Sequence, residues 1–128
     1  MPPSNQKTIE LTKCEAEVMD VVWEKESVTV NDVVDAIKRD LAYTTVMTTM
    51  KILEEKDIVS RGEKIGRAYT YSAKVTRDQV QQRMIKSLAD RFFGGSTRSM
   101  VLSLLKSESI SEDDIRAVKE AAEQLGEE

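Results

Sequence analysis

At 128 residues the chain is long enough for one hydrophobic core, or for one small domain with an appended module. It has no histidine and one cysteine, which removes the commonest general base and metal ligand, any internal disulfide and any cysteine-cluster metal site. A formal net charge of −4 argues against a polyanionic partner unless positive charge is concentrated locally.

No apolar run approaches a membrane span, and the opening MPPSNQKTIE has no hydrophobic signal core, so a cytoplasmic protein is expected. Paired carboxylates with a plausible pocket, phosphate-cradling glycines and a nucleophile–base pair are all missing from the sequence. It therefore reads as a non-enzyme without metal or cofactor.

The first element is announced by Thr12-Lys13-Cys14-Glu15, a capping box that opens a helix reaching about Lys25. Val18, Val21, Val22 and Trp23 form its buried side. Cys14, in the first turn, admits two readings: a thiol activated for redox sensing, or a small residue packed on the core. Ser27-Val28-Thr29 is a short extended segment, and Thr29 caps a second helix with Val33, Val34 and Ile37 at helical spacing, ended by Leu41-Ala42.

A third helix is expected from Tyr43 to Lys56, with Val46, Met50 and Leu53 facing inward. That spacing leaves Thr44, Thr45, Met47, Thr48 and Lys51 on the outward face. Threonine is tolerated wherever packing dominates a helix, and it can bond back to its own backbone, so this stripe alone does not decide between structure and recognition. Ile58 to Glu63 and Ala68 to Ser72 read as two strands joined by Lys64-Ile65-Gly66-Arg67, with Gly66 supplying the positive φ of the turn.

Three helices, a short strand and a β-hairpin compose a winged helix, in which the third helix enters the major groove of DNA and the hairpin lies along the backbone. Lys64 and Arg67 then fall where phosphates would be, unless they are an ordinary solvated turn. From Tyr43 to Lys74 six basic residues face four acidic ones, so the acid of the chain lies mostly elsewhere.

After Lys74 the pattern is wholly helical. Thr76 caps a helix with Val80, Met84, Leu88 and Phe92 at every fourth position, stopped by Gly94-Gly95. Ser96 caps a second, with Met100, Val101, Leu104 and Leu105, and Ser111 begins a third, with Ile115, Val118, Ala122 and Leu125. Short amphipathic helices gain little stability without a partner face, and a second copy of the chain supplies one, unless these helices extend the core of a single domain. The fold class is thus mainly α with a small antiparallel sheet: a winged helix-turn-helix domain over residues 1–74, then a three-helix dimerisation module over 75–128.

LTKCEAEVMDVVW, TVNDVVDAI, YTTVMTTMKILEEKDIV, GRAYTY and RFFGGS followed by MVLSLL together resemble the penicillinase and methicillin-resistance repressor family, from about Leu11 to Leu125. The resemblance implies a homodimeric transcriptional repressor on a palindromic operator in double-stranded DNA. It also implies inactivation by proteolysis through a membrane-bound sensor protease, at a bond corresponding here to Ser103–Leu104, where the family usually has asparagine-phenylalanine. Ala16 and Leu41 stand where the family often has tryptophan, and Met47 where it often has a polar or basic residue. The C-terminal cysteine cluster of copper-responsive relatives is missing from AAEQLGEE. The alternative function class is a winged-helix protein-interaction adaptor without a specific operator.

Overall fold

A computed structural model describes residues 10–126, so most of the N-terminal stretch read for a signal core lies outside the described residues. The chain divides into two compact units, 1–87 and 88–128. In the first, α1 (Lys13–Lys25), α2 (Val30–Ala36) and α3 (Tyr43–Glu55) are followed by β1 (Val59–Ile65), β2 (Ala68–Ala73) and the start of α4 (Arg77–Phe92). The rest of α4, α5 (Thr97–Leu105) and α6 (Glu112–Gly126) belong to the second.

The helix starts follow from local hydrogen-bond chemistry. The Thr12 hydroxyl accepts from the Glu15 amide while the Glu15 carboxylate accepts from the Thr12 amide, and Thr29 with Asp32 repeats the device on α2. Thr76 with Gln79 does the same for α4, and Ser111 with Asp114 for α6. At the far end of α4, Gly94 and Gly95 both take positive φ, and the Gly95 amide donates to the Ala89 carbonyl at 3.0 Å, closing the helix. α2 stops at Ala36, where Ile37 is already extended, rather than running to Leu41-Ala42.

The core of the first unit joins Val18, Met19 and Val22 of α1 to Val33, to Val46, Met50 and Leu53 of α3, and to Ile58, Val59 and Tyr71 of the sheet region. Val28 forms an isolated antiparallel bridge with Tyr71, exchanging two backbone hydrogen bonds of 3.0 and 2.7 Å, so the short segment expected before α2 closes against the hairpin. Burial of the Tyr71 ring pushes its phenol pKa up.

Val80, expected in a dimer interface, belongs instead to this core at 3% exposure, and Met84 packs against it. The two compact units divide inside α4 at 87/88. Trp23 helps to fix the beginning of α4, because its indole Nε1 donates to the Val75 carbonyl at 3.0 Å while the Arg77 guanidinium lies over its ring and pairs with Asp20 at 2.7 Å.

In the second unit, Ser96 caps α5 by accepting from the Ser99 amide, and Ala89 and Met100 are buried. α6 has no buried residue. Leu88, Phe92, Val101, Leu104, Ile115, Val118 and Leu125 are all exposed, and Leu105 is half-buried. Of the residues expected in a dimer interface, then, Val80, Met84 and Met100 are covered to differing degrees by their own chain and the others present apolar surface. No helix among the described residues is long and apolar enough to cross a membrane.

Candidate nucleic-acid interface

α3 buries Val46, Met50 and Leu53 completely, and the turn geometry that aims these three inward aims Thr44, Thr45, Thr48 and Lys51 outward. All four are exposed. Met47 differs from expectation: it is half-buried and packs against the core, because it lies three residues before Met50 and so on the flank of the inward stripe. Its share of the outward face is correspondingly small.

Thr49, unassigned by the periodicity, is buried at 7% exposure. Its hydroxyl satisfies itself by donating to the Thr45 carbonyl at 2.8 Å, the backbone-bonded state open to any helical threonine. Cys14 Sγ lies 3.5 Å from the Thr49 hydroxyl oxygen, which packs the half-buried thiol of α1 directly on α3.

Three pairings hold α3 and its surroundings in place. Lys56, just past the end of α3, reaches back to α1, where its ammonium meets the buried Glu15 carboxylate at 2.7 Å and the Glu10 carbonyl at 2.9 Å. Arg39, in the connection between α2 and α3, forks onto Glu17 of α1 through contacts of 2.7 to 3.2 Å. Those hydrogen bonds hold the Glu17 carboxyl below its ordinary range and the Arg39 guanidinium above its own. Lys74 sits 3.6 Å from Asp57, which carries a positive φ of 62° in the turn out of α3.

The hairpin extends further than the sequence indicated. β1 runs to Ile65, so the turn is the two-residue Gly66-Arg67, with Gly66 at φ 66°. Lys64 consequently stands on the strand, opposite Tyr69, whereas Arg67 stands at the tip. The side chains of Lys51 and Arg67 make no ion pair or hydrogen bond among the described residues. Arg61 and Tyr69, which the sequence reading passed over, flank Lys64 on the hairpin; the basic residue opposite an aromatic strand was the available signal.

The composite surface is a row of hydroxyls ending in Lys51 on α3, beside a hairpin bearing Arg61, Lys64 and Arg67. Threonine hydroxyls can donate or accept and their methyls offer apolar contact, while the cations suit phosphate oxygens. Nothing on it resembles a metal centre: no group of three or more possible ligands occurs among the described residues.

A family model described as penicillinase repressor matches residues 11–124. The chain is 28% identical over 116 residues to the penicillinase repressor of Staphylococcus aureus, covering 89% of this chain and 91% of that one. It is 26% identical over 117 residues to the methicillin resistance regulatory protein MecI of Mammaliicoccus sciuri, covering 90% and 94%. Among solved structures it is similar to BpsR of Bordetella bronchiseptica, a protein whose DNA binding is regulated by 6-hydroxynicotinic acid, with a TM-score of 0.50 and 19% identity over 81% of this chain and 86% of that one. At that identity the likeness concerns the fold alone.

Proposed function

The chain belongs to the penicillinase repressor family, DNA-binding transcriptional repressors and not enzymes, and from that premise we propose that it acts in the cytoplasm as a homodimer on a palindromic operator. The observation that carries this reading is the exposed row Thr44, Thr45, Thr48 and Lys51 on a helix whose opposite face is fully buried. A helix so mounted can enter a major groove without unfolding anything, and its hydroxyls read base edges while Lys51, Lys64 and Arg67 neutralise phosphates. The uncovered apolar surface of α5, α6 and the end of α4 is the surface on which two copies meet. Two helices tied together gain the second half-site at high effective concentration.

Release follows from cutting that module. Ser103–Leu104 lies in the last turn of α5, where the Lys106 amide is shared between the Leu102 and Ser103 carbonyls at 3.2 Å, so a protease must first unwind that turn. The partner in this step is a membrane-bound sensor protease.

The test is footprinting and anisotropy on the DNA flanking the protein's own gene. Thr48→Ala is expected to weaken the protected site by about 1 to 3 kcal/mol and mixed-sequence DNA much less, while Arg67→Ala weakens both and lowers the salt slope by about one. Equal losses for Thr48→Ala on both DNAs would remove base readout from this face. A chain that protects no flanking site, and elutes from heparin at low salt, is the adaptor.

A further inference from the structure

Arg61 and Lys64 share one aromatic ring. The Arg61 guanidinium carbon lies 4.4 Å from the centroid of Tyr69 and the Lys64 ammonium 4.8 Å. Residues three apart on a regular strand point to opposite faces, so these two should not meet on one side of the hairpin. They do because β1 carries a bulge: Arg61 pairs with Tyr71 and Lys64 with Tyr69, leaving Gly62 and Glu63 together opposite Thr70.

The bulge has its own supports. A Cβ at Gly62 would come within 2.9 Å of the Thr70 hydroxyl, and that hydroxyl donates to the Glu63 carbonyl at 2.7 Å. Glycine at 62 and threonine at 70 together hold the extra residue in place. Glu54, in the last turn of α3, stands 3.7 Å from the Arg61 Nε and connects this cationic pair to the helix.

We infer that Tyr69 is a positioning residue for the grip of the hairpin on duplex DNA, its ring holding Arg61 and Lys64 side by side to meet phosphates of one strand. The inference rests on the DNA-binding reading above and adds to it a residue that touches no phosphate itself. Long cationic side chains lose much rotamer freedom on docking, and a ring that already gathers two of them reduces that loss. Duplex DNA is the occupant that fits, because the site is two cations on an exposed ridge with a third, Arg67, at the tip of the same hairpin.

The experiment uses the full chain and a labelled mixed-sequence duplex, with anisotropy followed over a salt series. Tyr69→Leu is expected to lose about fivefold or more in affinity at fixed salt and to flatten the salt slope by about one per chain. Tyr69→Phe, which keeps the ring, stays at wild-type affinity and slope. Arg61→Gln and Lys64→Gln cost much less in the Tyr69→Leu background than in the native one, as coupled residues do. The double variant R61Q K64Q leaves the ring in place and must flatten the slope at least as far as Tyr69→Leu does. Additive losses, a native slope in that double variant, or an unchanged Tyr69→Leu with a wild type that binds, would overturn the role of Tyr69 alone. A wild type without salt-dependent affinity for duplex DNA would overturn the DNA-binding reading and this inference with it.

Discussion

Removing the Glu15 carboxylate tests what holds α3 in place. Glu15 closes the capping box of α1 and meets Lys56 at 2.7 Å, so one side chain ties the start of α1 to the end of α3. The carboxylate is 7% exposed and the lysine 34%. Breaking a wholly buried pair by deleting one partner costs about 3 to 5 kcal/mol, but a lysine one-third exposed can turn its ammonium to water, which reduces this to about 1 to 2. Loss of the capping hydrogen bond adds about 1, so Glu15→Ala should cost about 2 to 3 kcal/mol in total. Glu15→Gln keeps an acceptor for the Thr12 amide and should lose only about half of that. Urea is the suitable denaturant, since it leaves ion pairs unscreened, and the fluorescence of Trp23, the single tryptophan, reports on the same unit. At a slope of about 1 to 1.5 kcal/mol per molar, Glu15→Ala should lower the midpoint by roughly 2 M at fixed protein concentration. A shift within that of an ordinary surface change, about 0.5 kcal/mol, would show that the pair contributes nothing and that hydrophobic packing alone sets the angle of α3.

Two further outcomes are expected. Burial raises the Tyr71 pKa above its unfolded value, so the stability it contributes is fully present below about pH 10 and is lost as pH rises through the folded value; Tyr71→Phe should remove this alkaline decline, and an unchanged profile would mean another group carries it. A chain ending at Ser103 lacks the exposed apolar residues Leu104, Ile115, Val118 and Leu125, and should sediment as a folded monomer that releases operator DNA at concentrations where the full chain holds it; a tight operator-binding dimer would refute the proposed dimer surface.

Much of this architecture was legible because it is local. The threonine or serine caps at 12, 29, 76, 96 and 111 depend on residues three positions away, and each helix starts where its cap predicts. What sequence periodicity could not supply is the identity of the covering partner. Val80, Met84, Leu88 and Phe92 form one four-residue stripe, yet the first two are covered by the winged-helix core and the last two are exposed, a distinction that tertiary packing makes and spacing does not. Met47 is half-buried for a related reason, since the edge of a helix's buried face depends on what lies against it and not on spacing alone. The bulge left a weak signal in Gly62, an isolated glycine within a strand pattern. Its consequence, two cations on one face, needed the register.

The acidic chain and a polyanionic partner are reconciled by where the charges are spent. Of the basic residues around α3 and the hairpin, Lys56 is committed to Glu15 of α1, while Lys74 lies beside Asp57 and Arg61 beside Glu54, two of the four acids of residues 43–74. Paired charges cancel at the distance of a docking duplex, while Lys51 and Arg67, without such partners among the described residues, project their full field, and Lys64 adds to it from over a neutral ring. Arg61 is the intermediate case, 3.7 Å from Glu54 and 4.4 Å from the Tyr69 centroid, able to exchange a weak carboxylate contact for a phosphate without leaving the ring. Net charge therefore says little here: what a docking duplex meets is the local field of Lys51, Lys64 and Arg67 beside the threonine row, not the sum over the chain.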